Sequence, residues 1–164
     1  MIEAYISLGS NQGSRIDYLN YALKSLKSDS KIKVIKKSSI YDSSPCLNFF
    51  QPNFLNAVLL IETSYLLGEL GRLVLVIEDM AGRKRSVRYS PRTLDIDILL
   101  YGKVPLSQGL FSVPHSRISE RAFVLIPLTE IAEDVSIPGC GSANSLSKSI
   151  FCYYLVKTDL TWTS

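Results

Sequence analysis

Asp95 and Asp97 stand two apart in the stretch YSPRTLDIDILLYG, residues 89–102. Residues two apart on a strand project from one face. The two carboxylates therefore point together, while Leu94, Ile96 and Ile98 face the other way. Like charges about 7 Å apart on a mostly buried strand are costly unless positive charge lies between them. Such a pair suits a hard divalent cation, and Mg²⁺ commonly completes its shell with water and substrate phosphate. Just upstream, Arg83, Lys84, Arg85, Arg88 and Arg92 place five of the chain's eighteen cations in ten residues. A cationic loop beside a carboxylate pair is self-consistent if a polyphosphate lies between them, metals neutralising the aspartates and arginines holding the remaining phosphate charge. The simpler alternatives are a solvated basic loop and a plain salt bridge from Arg92 to Asp95.

Other residues carry weaker signals. His115, the only histidine, lies in VPHSR beside Arg117 and before Arg121. It is either a structural or surface histidine or a further donor to the same phosphate site. Phe54 and Phe123 read most simply as core aromatics, and Asn56 as a strand-edge amide. GSNQGS at 9–14 falls between a strand and a helix, where phosphate loops also occur. It matches neither GxxxxGK[ST] nor GxGxxG, so it reads as a tight turn requiring Gly9 and Gly13.

The elements that must position these groups follow from periodicity and punctuation. Residues 4–8 predict a strand, and Ser14 with Asp17 predicts a capping box opening a helix over 15–27. A long strand is expected over 32–41, a loop punctuated by Pro45 and Pro52 over 42–53, and a strand over 54–61. Apolar residues at 66, 70, 73 and 77 predict a helix over about 65–79, weakened by Gly68 and Gly71. After the aspartate strand, 103–116 reads as loop and 117–131 as a helix that Pro127 kinks or divides. The tail from Pro138 is Gly/Ser-rich and then apolar, with a last helix or strand over 146–156. The order β-α-β-β-α-β with appended helices predicts an α+β, ferredoxin-like sandwich.

At 164 residues, 46% hydrophobic and 20% charged, the chain suits one globular domain, 1–164. No basic segment followed by a long apolar stretch opens the chain, so no signal peptide is expected. No apolar run reaches the ~20 residues that span a bilayer. Cys46, Cys140 and Cys152 are odd in number and far apart, without CxxC, which points to a reducing cytoplasm rather than a disulfide framework or zinc site.

The residues resemble a known family. PRTLDIDILLYG is similar to a signature of the 6-hydroxymethyl-7,8-dihydropterin pyrophosphokinases. AYISLGSN at 4–11, SSIYDSSP at 38–45, QPNFLNAV at 51–58, IEDMAGRKR at 77–85 and VPHSRISERAFVLIPL at 113–128 fall in that family's order. The resemblance spans residues 4 to about 134 and leaves 138–164 poorly defined. It implies transfer of the β,γ-diphosphoryl unit of ATP to the hydroxymethyl group of the dihydropterin, releasing AMP, in folate biosynthesis. It implies the ferredoxin-like sandwich and two Mg²⁺ ions on Asp95 and Asp97.

By the same resemblance, Arg83 and Arg92 lie on the transferring phosphates, with Arg88 and either Lys84 or Arg85 assisting. Glu78, Ile98, Ser112, His115 and Arg121 surround the nucleotide. Phe54 and Phe123 sandwich the pterin and Asn56 hydrogen-bonds it, with Asp95 beside it. Main-chain groups of Ser43, Ser44 and Cys46 read its remaining edge. No protein nucleophile is needed; Asp97 or a water on the metal takes the hydroxyl proton. The 80–92 loop is expected to close over bound ATP. Departures from the family pattern are Tyr89 for a common tryptophan, Leu47 for a glycine, Leu110 for a basic residue, and an Arg83–Arg92 interval one residue short. The implied partners are small molecules, with neither nucleic acid nor membrane. A monomer is expected, and fusion to a neighbouring folate enzyme occurs in the family. Against this stand a ferredoxin-like nucleic-acid-binding module, resting on the basic loop and pI near 8.7, and a DxD metal enzyme acting on a nucleotide-sugar or phosphodiester. The first leaves the carboxylates repelling a phosphate backbone, and the second leaves Phe54, Asn56 and Phe123 unexplained.

Overall fold

The computed structural model describes residues 1–45, 50–84 and 90–163. Alternation along β1 (Ile2–Ser10) buries Ala4, Ile6 and Leu8 on one face. The same pattern in β4 (Phe54–Thr63) buries Leu55, Ala57, Leu59 and Ile61. These two central strands pair antiparallel over their whole length, from Ile2 opposite Thr63 to Ser10 opposite Leu55. β5 (Asp95–Tyr101) flanks β1 on the other side, antiparallel to it. β2 (Ile32–Lys37) and β3 (Tyr41–Ser43) both lie along the outer edge of β4. β10 (Leu155–Lys157) pairs with β3, so the sheet runs β10-β3-β4-β1-β5 with β2 beside β4.

Helices cover both faces. α1 (Arg15–Ser28) and α2 (Leu67–Met80) pack on the face carrying Ile6, Leu59 and Ile96. α3 (Ala122–Ile131) and α4 (Ala143–Ser149) pack on the opposite face, over Val58, Leu60, Leu99 and Leu100. Two short hairpins complete the chain, β6 (Leu106–Gln108) with β7 (Phe111–Val113), and β8 (Ser136–Ile137) with β9 (Gly141–Ser142). Among the described residues the fold is a mixed α/β arrangement of an antiparallel sheet and four helices. Among the described residues no helix is long and apolar enough to cross a membrane.

Several expectations are corrected. The strand expected over 32–41 is two strands, because Ser38 turns its hydroxyl to the Val58 N–H at 2.9 Å while its own N–H bonds the Val58 carbonyl. The capping box at Ser14 does not form: its hydroxyl donates to the Asp17 carboxylate at 2.5 Å and no side chain caps the helix. In place of a bare loop, 103–116 contains the β6–β7 hairpin. The helix expected from 117 begins at Ala122, after a separate 3₁₀ turn at Ile118–Glu120 with Arg121 extended between them. Pro127 does not divide it. The tail holds a short helix and a strand well separated, rather than one element over 146–156. Gly9 lies within β1, not in a turn; Gly13, with φ +68°, is the glycine the turn requires.

The glycines that weaken α2 have a packing reason. A Cβ on Gly71 would lie 2.4 Å from the Phe111 ring, and one on Gly68 would meet Gln108 Oε1 at 3.4 Å. Gln108 Oε1 accepts from the Gly68 N–H at 2.8 Å. The bare helix surface is the seat of the β6–β7 hairpin.

Candidate functional site

α3 covers the apolar part of its sheet face and stops short of the strand ends where Ser7, Gly9, Asn56, Asp95 and Asp97 project. In register, Gly9 lies between Asn56 on β4 and Asp95 on β5, with Ser7 opposite Asp97. A Cβ on Gly9 would sit 3.5 Å from Asn56 Oδ1 and 3.9 Å from Asp95 Cβ. Glycine therefore leaves an open floor between the amide and the carboxylate.

Positive charge reaches each aspartate separately. Asp95 accepts from Arg83 at 2.6 Å and from Arg92 at 2.9 Å. Asp97 accepts from Arg121 at 3.0 Å, with His115 Nε2 3.7 Å away. Glu78, buried at the end of α2, accepts from the Ile96 N–H at 2.7 Å and also pairs with Arg83. It thereby ties α2 to β5 and holds Arg83 beside Asp95. The Arg92–Asp95 salt bridge, weighed in the sequence as the simpler alternative, is present as one of several cation contacts to the pair.

Burial, followed by the neighbouring Asp95 charge, raises the Asp97 carboxyl above its ordinary value, against the lowering pull of His115 and Arg121. Burial lowers the His115 imidazole, and Arg121 adds to that, while Asp97 opposes it. Burial thus disfavours the charged form of each group.

Two cavities meet at the aspartates. The first is bounded by Phe54, Asn56, Ser43, Arg92, Arg121 and Phe123, with Asp95 and Asp97 at its far wall. The second, between α2, β5 and the β6–β7 hairpin, is bounded by Glu78, Arg83, Ile98, Phe111, Ser112 and His115, and again by Asp95 and Asp97. Of the residues the family resemblance assigns to the nucleotide, Glu78, Ile98, Ser112 and His115 line the second cavity. Arg92 and Arg121 line the first. Of those assigned to the pterin, Ser43, Ser44, Phe54, Asn56, Asp95 and Phe123 line the first cavity. The Ser44 N–H is already donated to the Tyr154 carbonyl at 3.2 Å. Arg121 lies 5.6 Å above the Phe123 ring, a cation–π contact. Cys46, Leu47, Arg85, Arg88 and Tyr89 fall outside the described residues.

Asn11 is a site-building residue that the sequence reading left inside a turn. Buried, its side-chain amide donates to Gln51 Oε1 at 3.0 Å and the Pro52 carbonyl at 3.2 Å, and accepts from the Arg92 N–H at 2.8 Å. Its N–H donates to the Arg92 carbonyl at 3.1 Å. One residue thus joins the loop after β1, the segment before β4 and the segment before β5. A buried amide with both donors and its acceptor placed is recognisable only once the loops are together.

The features define a class: an α/β protein whose carboxylate and arginine cluster joins two cavities, an arrangement suited to phosphate chemistry. A family model described as 7,8-dihydro-6-hydroxymethylpterin-pyrophosphokinase matches residues 5–133. The chain belongs to this family. It is 39% identical over 163 residues to the 2-amino-4-hydroxy-6-hydroxymethyldihydropteridine pyrophosphokinase of Haemophilus influenzae, covering 97% of this chain and 99% of that one. It is 45% identical over 132 residues to the protein of that name from Bacillus subtilis, covering 80% and 79%. A mitochondrial folate synthesis bifunctional protein of Pisum sativum matches at 39% over 129 residues, 79% of this chain but 25% of the relative. Among solved structures, wild-type Plasmodium falciparum HPPK-DHPS superposes with a TM-score of 0.72 over 90% of this chain at 12% identity. That likeness is one of fold. The chain spans less than half of that solved chain, 44% of its length.

Proposed function

We propose that this protein transfers the β,γ-diphosphoryl group of ATP to the hydroxymethyl group of 6-hydroxymethyl-7,8-dihydropterin, giving AMP and the pterin diphosphate in folate biosynthesis. The observation that carries this reading is the meeting of two cavities at Asp95 and Asp97. The first offers two aromatic rings and a fixed amide, which suit a flat heterocycle with a polar edge. The second, between α2 and the hairpin, takes the nucleotide. The triphosphate then runs toward the aspartates, where the pterin hydroxyl meets its β-phosphorus. Arg85, Arg88 and the main chain of Cys46 join these groups in the proposal by family resemblance.

Two Mg²⁺ ions fit the donor set. Among the described residues no group of three or more His, Cys, Asp or Glu side chains gathers to enclose a metal. The chain offers two adjacent carboxylates and leaves the remaining ligand positions to phosphate and water, the pattern Mg²⁺ favours. Asp95 and Asp97 would hold the ions, which supply neutralisation of the phosphate charge and alignment of the reacting oxygens.

The protein's own groups do the rest. Arg83, Arg92 and Arg121 neutralise the aspartates, and with the ions held there each would be placed to meet phosphate oxygens. Phe54, Phe123 and Asn56 hold the ring so that its hydroxymethyl group faces the two aspartates, where Asp97 or a water beside it receives the hydroxyl proton. Attack is in line on the β-phosphorus with AMP as leaving group, and catalysis comes from alignment and charge stabilisation.

The order β5-β1-β4-β2/β3 across the sheet supports the ferredoxin-like βαββαβ description, with α3 and α4 appended. The described cysteines, Cys140 and Cys152, are exposed and free, which supports a cytoplasmic location. The test is product analysis: with ATP, Mg²⁺ and the dihydropterin, AMP is expected in step with pterin diphosphate and to be lost in Asp95→Ala and Asp97→Ala. ADP in place of AMP would make the protein a monophosphoryl kinase and overturn the reading.

A further inference from the structure

The C-terminal segment leaves the α3–α4 layer, passes along the edge of β3 and ends against α1. β10 pairs Leu155 with Ser43, Val156 with Asp42 and Lys157 with Tyr41. The Tyr154 carbonyl accepts from the Ser44 N–H. Beyond β10, both the N–H and the hydroxyl of Thr158 donate to the Ile40 carbonyl, at 2.9 and 2.8 Å. Trp162 Nε1 donates to the Ser38 carbonyl at 2.8 Å and its ring packs against the α1–α2 core. The Thr163 N–H donates to Asn20 Oδ1 on α1 at 3.0 Å. The segment is a strap bound along the edge of β3 and against the α1 face, and without it β3 would be an open edge of only three residues.

What the strap holds is the wall of the first cavity. Ser43, the last residue of β3, is buried, and its hydroxyl accepts from Asn56 Nδ2 at 2.7 Å. That bond fixes which way the Asn56 amide faces, and hence whether it presents a carbonyl or an amino group to a ligand. We propose that the strap, residues 154–163, is a positioning element that holds Ser43 so that Asn56 presents its amide correctly to the pterin. None of its residues touches the nucleotide cavity. The proposal rests on the first cavity being the pterin site.

The test compares the full chain with a chain lacking 158–164, the double variant Thr158→Val/Trp162→Phe, the control Thr158→Ser, and Ser43→Ala. Loss of an orienting hydrogen bond is expected to raise KM for the dihydropterin about fivefold in the truncated, double and Ser43→Ala variants. KM for ATP stays unchanged. Thr158→Ser should behave as the full chain, and Ser43→Ala in the truncated chain should add nothing further, since both act through one amide. Pterin KM unmoved in both strap variants, or both substrate constants rising together, would overturn the proposal while leaving the activity standing. Absence of pterin-dependent AMP from the full chain would overturn the activity and the strap's role with it.

Discussion

Replacing Gly71 with alanine sets two effects of opposite sign against each other. On an exposed helix interior the change stabilises by about 1 kcal/mol. Here the added methyl would lie 2.4 Å from Phe111 Cδ2 and Cε2, over 1 Å inside ordinary carbon–carbon contact. The ring belongs to a strand paired from Leu106–Val113 to Gln108–Phe111, so it yields only if the hairpin shifts. Overpacking of this kind costs about 1–3 kcal/mol, and a rigid aromatic neighbour argues for the upper end. The net expectation is a loss of about 2 kcal/mol, or roughly 4–8 °C in Tm for a chain of this size. In a Phe111→Ala background the clash is gone, and Gly71→Ala should instead raise Tm by about 2–4 °C. Thermal and urea unfolding of the four chains in the double-mutant cycle gives the answer. Gly71→Ala stabilising in both backgrounds would refute the seat assigned to Phe111. Because Phe111 also lines the second cavity, Gly71→Ala should raise KM for ATP and leave the pterin constant alone.

Three more outcomes follow from the same geometry. Asn11→Ala removes three hydrogen bonds to the side chain and should cost about 2–4 kcal/mol in urea unfolding, with the pterin constant raised, since the loops it joins carry Gln51 and Arg92 into the first cavity. Phe123→Ala removes one ring of the first cavity and should weaken pterin binding by roughly tenfold in a titration, without changing nucleotide affinity. Glu130 gives the pH dependence: burial alone would raise its carboxyl, but hydrogen bonds from the Ser39 hydroxyl, the Tyr41 hydroxyl and the Ser39 N–H, with Lys157 nearby, outweigh it and hold it below the ordinary value. A depressed carboxyl stabilises the fold above its unfolded pKa and loses that contribution as pH falls through the folded one. Glu130→Gln should therefore be less stable than the parent by about 2 kcal/mol at pH 7 and converge with it in strong acid, as read from Tm against pH.

The elements that carry a clear period were legible in the sequence. β5 announced its two faces through Leu94, Ile96 and Ile98 against Asp95 and Asp97. α2 followed from apolar spacing, while α1 was read from Ser14 and Asp17 and forms over the expected residues although that capping box does not. What escaped depended on contacts across long stretches of chain. Among the described residues the hydrogen-bond partner of Asp97 is Arg121, 24 residues on. Ser38 breaks the second strand because its hydroxyl competes for a ladder position on β4, which no local pattern announces. β6 and β7 are three residues each and largely exposed, so they show no alternation. β10 exists only because β3 offers an edge, and its sequence alone reads equally as helix or strand. Gly71 looked like a flaw in a helix until Phe111 was seen against it.

The central claim is that Asp95 and Asp97 join a pterin cavity to a nucleotide cavity. A crystal structure of the chain with a non-hydrolysable ATP analogue, Mg²⁺ and the dihydropterin tests it directly. The ring is expected between Phe54 and Phe123 against Asn56, the nucleotide between α2 and the β6–β7 hairpin, and the metal-bridged phosphates at the two aspartates. Both ligands in one cavity, or phosphates away from Asp95 and Asp97, would contradict the account.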